Sequence, residues 1–113
     1  MSRGGSAGFS TSMVASVQRA VPTSGQTVVI AQTNSLDLNL VLEPAGLLLA
    51  LTVTLPAGTL DGQKCSVMST TAVTALTLNT VSGGLIGALA SLVVNGFASY
   101  VWVSSTSTWY RVG

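Results

Sequence analysis

The sequence predicts an all-β fold, an antiparallel β-sandwich or barrel with an extended N-terminal arm. Three observations favour it: apolar and polar residues alternate over short segments, turn residues separate these segments, and Glu, Lys, Arg and Gln, which favour surface helices, are scarce. With 113 residues, the chain has the length of one domain. We divide it into an arm over residues 1–24 and a β-domain over residues 25–113.

The arm differs in composition from the rest of the chain. Its first part is rich in Gly and Ser, which is typical of flexible segments. Apolar and basic side chains interrupt this composition. Two interpretations stay open: an arm that docks on a partner after assembly, or a tail without a fixed structure. If the arm docks, the residues we expect to make contact are Arg3, Phe9, Met13, Val14 and Arg19.

The alternation is clearest in residues 36–42 and 47–55, where every second position is apolar. In the second segment, Leu48 and Ala50 make the other face apolar as well. A strand that is apolar on both faces is covered on both, by a second sheet or by another subunit. Further strands are predicted at residues 28–31, 65–70, 75–78, 92–94, 97–103 and 108–112.

Charge is unusually scarce in this chain. It has four Lys or Arg, three Asp or Glu and no His, while 48% of its residues are hydrophobic. Soluble domains usually carry about a quarter of their residues as charges. We therefore expect an oligomer that hides apolar surface, although a compact core could also absorb these residues. The residues expected at the interface between copies are Leu47, Leu48, Leu49, Leu85, Ile86 and Leu89.

The residue inventory argues against catalysis and against cofactor or metal binding. General acid–base catalysis needs a titratable group near neutrality, and the chain has no histidine. Cys65 is the only cysteine, so neither an intrachain disulfide nor a multi-cysteine metal site can form. Without a basic partner, we expect Cys65 to be a small buried residue. We predict that the protein is not an enzyme and needs no cofactor.

Several partners and locations are also disfavoured. The net charge is +1 and the basic residues are scattered, so we expect no nucleic-acid binding. No apolar run approaches the ~20 residues of a membrane-spanning helix, and the first residues lack the apolar core of a signal peptide. We therefore expect no membrane association and no secretion.

The aromatic residues of the last predicted hairpin allow two interpretations. Tyr100, Trp102 and Trp109 could pack in the core or at an interface, or they could form a platform on which a sugar stacks. We favour packing, because sugar sites usually add carboxylates and amides, and the nearby sequence has none.

Residues 51–112 resemble a β-rich module of tailed-bacteriophage virion proteins, found in tail-fibre and head-decoration proteins. The resemblance rests on five strings: LPAGTLDGQ at 55–63, AVTALTLN at 72–79, GLIG at 84–87, ASYVW at 98–102 and STWY at 107–110. These strings are mostly turn and hairpin residues. The chain departs from long fibre proteins because it is short and has no shaft-like segment.

The resemblance implies a structural role, a homotrimer and no catalytic residues. We expect a capsid decoration, or cement, protein that binds the major capsid protein on the outside of the virion and is made in the host cytoplasm. The alternative is a short tail-fibre or tail-tip protein that binds a host surface glycan.

Overall fold

The structure is a computed structural model that describes residues 15–113. Over this range the chain forms nine β-strands and no helix, which confirms the all-β prediction. The strands are β1 (Ala15–Ala20), β2 (Thr27–Val29), β3 (Asp37–Leu42), β4 (Leu48–Leu55), β5 (Lys64–Ser69), β6 (Val73–Thr80), β7 (Gly84–Ile86), β8 (Phe97–Val103) and β9 (Thr108–Arg111).

The first six strands alternate between two sheets. The larger sheet has six strands in the order β1-β3-β5-β8-β9-β7, and the smaller has three in the order β2-β4-β6. The pairs that these six strands form with one another are all parallel. Each pass through the larger sheet and back through the smaller one therefore makes a coil, and three coils stack in a solenoid-like arrangement.

The predicted antiparallel pairing is wrong for most of the molecule. Five of the seven described strand pairs are parallel, and only β5–β8 and β8–β9 are antiparallel. The alternation in the sequence identifies the buried face of a strand, but it is the same for both directions of pairing. Direction follows from the connections. Because each turn leads into the opposite sheet, the next strand of the same sheet comes one coil later and runs the same way.

The coils of the smaller sheet have equal length. Thr27 pairs with Thr52 and Thr52 with Thr77, so that equivalent positions are 25 residues apart. In the larger sheet the steps are uneven, since Ala15 pairs with Asp37 and Asp37 with Lys64. Between these in-register positions the chain covers 12, 15 and 13 residues on its passes from the larger sheet to the smaller, and 10 and 12 residues on its returns, so both kinds of connection vary in length.

A single cluster of buried side chains draws on both sheets. Its aliphatic part comes mainly from β3, β4, β5 and β6, and its aromatic part from β8 and β9. The members are Ile30, Leu38, Leu40, Leu42, Leu48, Leu51, Val53, Leu55, Cys65, Val67, Val73, Leu76, Leu78, Leu92, Ala98, Tyr100, Trp102 and Trp109.

The alternation predicted for residues 47–55 is interrupted near its start. Leu48 is buried, and the next two residues, Leu49 and Ala50, are both exposed before alternation resumes at Leu51. Strand β6 has the same interruption at the positions in register with it. Because two successive residues point outward, the buried positions are even-numbered up to Leu48 and odd-numbered from Leu51 onward. Leu47 and Leu49 are therefore exposed rather than on the same face as Leu51.

Three further segments differ from the sequence prediction. Residues 15–20, assigned to the arm, form β1 and pair with β3. Residues 84–86, for which no strand was predicted, form β7 and pair with β9. In residues 92–94, only Leu92 makes a β-bridge, with Val73. The last two segments are short, so that pairing with a neighbour decides their state more than their own pattern does.

Candidate interaction surfaces

The described residues offer little reactive chemistry. Among residues 15–113, no three or more His, Cys, Asp or Glu side chains group in a way that could hold a metal ion. Burial raises the pKa of the Cys65 thiol to about 12, so it stays protonated and unreactive at neutral pH. This same part of the chain contains no helix long and apolar enough to cross a bilayer.

Three aromatic residues of the C-terminal hairpin, Tyr100, Trp102 and Trp109, face inward. Trp109 is fully buried, and its indole N–H donates to the carbonyl oxygen of Pro56 at 3.0 Å. The rings of Trp102 and Trp109 pack in a tilted arrangement with centroids 5.3 Å apart. The hydroxyl of buried Tyr100 donates to the carbonyl oxygen of Gly87. None of these three rings is open to a sugar, so they do not form a stacking platform.

A buried glutamine connects the turns at one end of the coils. The amide nitrogen of Gln63, a residue with no exposed surface, donates to the carbonyl oxygen of Ser35 at 2.7 Å and to the side chain of Gln32 at 2.9 Å. Its amide oxygen accepts from the backbone N–H of Thr59. With these partners the polar group is satisfied, and its role is to fix loops rather than to bind a ligand.

The most unusual surface lies at the opposite end of the coils. Strands β1, β3 and β5 finish there in one row, with Ala20, Leu42 and Ser69 in register. Strands β4, β6 and β8 begin there, as the pairings Phe97–Met68 and Leu92–Val73 show. Six large apolar side chains at this end are 59 to 72% exposed, and we call them the apolar end: Val21, Leu47, Leu49, Val93, Val94 and Phe97.

Two of these residues occupy a turn tip, where polar residues are usual. The backbone N–H of Gly96 donates to the carbonyl oxygen of Val93 at 2.8 Å, which closes a four-residue turn. Asn95 is its third residue and has φ of 59°, as a type II turn requires at that position. Val93 and Val94 are thus the first two residues of an exposed turn, although turns favour Gly, Pro, Asn, Asp and Ser.

The apolar end has almost no charge. Of the charged residues that the structure describes, only Glu43 lies in its turns, and the carboxylate accepts a hydrogen bond from Nε of Arg19 on β1. At the other end of the coils, Asp37 and Lys64 begin adjacent strands, and Asp61 accepts from the backbone N–H of Ser104 at 2.9 Å. The two ends therefore differ in the number of charged residues that they carry.

The structure separates the predicted site residues into four groups. Arg3, Phe9, Met13 and Val14 lie outside the described residues, and Arg19 is exposed on β1. Leu47 and Leu49 belong to the apolar end. Leu48 is buried in the core of its own chain, so that it offers no surface to a second copy. Leu85 and Leu89 pack against that core, whereas Ile86 is exposed on β7.

The sequence prediction missed four members of the apolar end: Val21, Val93, Val94 and Phe97. A usable signal exists for two of them. Val93 and Val94 directly precede Asn95-Gly96, a strong turn signal, and apolar residues beside such a turn do not belong to an alternating strand. Phe97 alternates with the buried residues of β8 and is exposed, but it was not connected with an interface from the sequence.

Strand β1 leaves one edge of the larger sheet open in the part of the chain that the structure describes. It pairs only with β3, and exposed and half-buried residues alternate along it. Its side chains help to hold it: Gln18 donates to the carbonyl oxygen of Ala31 and accepts from its N–H, both at 2.8 Å. An open edge of this kind invites pairing with a further strand.

In comparisons with known proteins, no family model matches the chain, and neither a curated protein nor a solved structure shows a significant similarity to it.

Proposed function

We propose that the chain is a structural protein of a bacteriophage virion, a capsid decoration protein that binds the assembled capsid from outside and stabilises it. In this proposal the chain acts as a homotrimer whose two sheets form a sandwich-like body. The major capsid protein is its partner, and no enzymatic step is involved.

The observation that carries the proposal is the combination of the apolar end with the near absence of charge. A free monomer would expose this surface to water. Exposed apolar patches mark surfaces that a partner covers, and the turn Val93–Gly96 exposes valines where solubility would select polar residues. A protein that works inside an assembly keeps such a surface covered.

Stabilisation of the capsid would follow from mass action. A protein that binds only the assembled shell lowers its free energy by RT ln(1 + [L]/Kd). A trimer that contacts several capsid subunits gains from effective concentration, so that three weak contacts act as one strong contact. No reactive group is needed.

The arm is the proposed contact with the capsid. Strand β1 begins at Ala15, which is in register with Asp37. Ala15 therefore lies at the end of the coils opposite the apolar end, where Asp37 and Lys64 begin their strands. Residues 1–14 thus join the body on the side that the apolar end leaves free. We assign capsid contact to Arg3, Phe9, Met13 and Val14, with Arg19 beside them in sequence.

The test is binding to purified phage particles, with head and tail, that lack the protein. We expect saturable binding at a copy number comparable to that of the major capsid protein, and a higher capsid melting temperature. Absence of binding, or attachment only at the tail in far fewer copies, would contradict decoration. The second outcome would instead support the tail-fibre alternative, which the buried aromatic residues do not favour.

A deletion tests the arm separately. Removal of residues 2–14 leaves β1 intact, and we expect it to abolish capsid binding while the body stays folded. The matched control replaces residues 2–14 by a Gly/Ser segment of equal length, which should also fail to bind. Unchanged occupancy with either variant would show that the arm is not the contact.

A further inference from the structure

We propose that the apolar end is the contact between copies of this chain, which meet there end to end around a symmetry axis. This inference rests on the proposed function only for its expectation of an oligomer, and it names the surface that forms that oligomer. The occupant of the apolar end is a second copy of the same end.

The exposed area is of the right size for such a contact. At 59 to 72% exposure, the six side chains of the apolar end present roughly 600 Å² per chain, which approaches the about 800 Å² that each partner contributes to a standard-size interface. The residues come from three separate segments of the chain, so the surface is assembled by the fold.

Polar groups at this end are already hydrogen-bonded within the chain. The hydroxyl oxygen of Ser24 accepts from the N–H groups of Leu49 and Ala50. Thr71 donates its hydroxyl to the carbonyl oxygen of Gly46, and buried Ser69 donates to that of Thr71. Removing water from this end therefore breaks few hydrogen bonds, which lowers the cost of covering it.

Charge identifies the partner. The one charged side chain in these turns, Glu43, is already paired with Arg19. Nearby, Nε of Arg111 donates to the carbonyl oxygen of Gly113, which lies beside Phe97, so this end offers little free charge with which to select a charged partner. Its partner must present an uncharged apolar surface of similar size. Among the described residues, the surface that meets this description is the same end of another copy. Residues near a symmetry axis meet their own counterparts in any cyclic oligomer.

The first experiment measures mass in solution, without capsids. We expect the wild type to sediment as a multiple of its 11.4 kDa chain mass. Leu49→Glu and Val93→Glu should reduce the mass to that of one chain, because each places unpaired charge in the contact, while the circular dichroism spectrum stays that of a β-protein. The matched controls are Val29→Glu and Val81→Glu, equally exposed residues at the opposite end, which should keep the assembled mass.

The second experiment uses cross-linking. Val94→Cys should form a disulfide-linked pair under mild oxidation, and Val81→Cys should not. The native Cys65 does not compete, because it is buried. Cross-linking of Val94→Cys only would support contact at the apolar end.

Four outcomes would overturn the inference: a monomeric wild type at micromolar concentration, an unchanged mass for both apolar-end variants, monomers from both pairs of variants, or equal cross-linking of the two cysteine variants.

Failure of the proposed function is recognised separately. An oligomer that forms through the apolar end but never binds capsids contradicts decoration alone. A monomer whose capsid binding is lost in Leu49→Glu would show that the apolar end contacts the particle instead.

Discussion

At one side the six-stranded sheet continues into the β8–β9 hairpin and β7, whereas at the other side its last strand among residues 15–113 is β1. The hairpin carries Tyr100, Trp102 and Trp109, all buried. Strand β1 has no fully buried residue and is held by side chains such as Gln18. The two sides thus use different interactions, apolar burial on one and surface hydrogen bonds on the other.

This difference implies a gradient of local stability across the sheet. Buried aromatic residues contribute several kcal/mol each, whereas a typical hydrogen bond contributes about 0.5–1.5 kcal/mol net. Segments with few buried apolar contacts open at the lowest free energy. We expect β1 to open first and the hairpin to open only with the whole domain.

The largest effect is expected on the aromatic side. Trp109→Ala removes a fully buried indole together with its hydrogen bond to Pro56, and we expect the free energy of unfolding to fall by about 3–5 kcal/mol. Denaturant titration followed by circular dichroism measures the loss. Trp109→Phe is the control: it keeps part of the ring volume and should cost less than Ala. An equal loss of unfolding free energy in the two variants would show that packing of the ring against Trp102 is not the main source of stability at this position.

An intermediate effect is expected where the coils meet the hairpin. Gln63→Ala removes the side-chain hydrogen bonds to Ser35 and Thr59 and leaves the carbonyl oxygen of buried Ser35 without this partner, so we expect a loss of about 1–3 kcal/mol. Thermal unfolding of both proteins measures it. As a control, Gln26→Ala removes an exposed glutamine that accepts from the backbone N–H of Thr23 and should change the melting temperature less. The reverse order would contradict the structural role given to Gln63.

The smallest effect is expected on the open side. Gln18→Ala removes the two hydrogen bonds to Ala31, and we expect a global loss of about 1 kcal/mol or less, together with faster hydrogen exchange confined to β1. Arg19→Ala, on the same strand, should have little effect, because its ion pair with Glu43 is exposed. Exchange that accelerates equally in β8 would disprove the gradient.

The sequence was most informative where alternation is regular and the strand is long. Residues 36–42 and 97–103 were predicted as strands, and β3 and β8 occupy almost the same ranges. Packing of Tyr100 and Trp102, preferred over a sugar platform in the sequence analysis, agrees with their burial in the structure. In these segments one face is buried, so every second residue is apolar and the alternation identifies the buried positions.

Features that depend on neighbours in space were not predictable. Parallel and antiparallel strands have the same alternation, so the direction of pairing could not be read from it. The outward pair Leu49 and Ala50 breaks the period where both backbone N–H groups donate to the hydroxyl oxygen of Ser24, about one coil earlier in sequence. Of the apolar end, only Leu47 and Leu49 were named, because its members come together only through the winding of the coils.

The equal spacing of Thr27, Thr52 and Thr77 determines how a chain of this architecture can grow. Inserting one whole coil would give every new residue the lateral neighbours that its predecessor has, and the hairpin would still close the stack. An insertion of another length within a strand would turn buried leucines outward or displace the register. The body can therefore lengthen in discrete steps along the stack, while the distance between the apolar end and the start of β1, set by the length of a strand, stays the same.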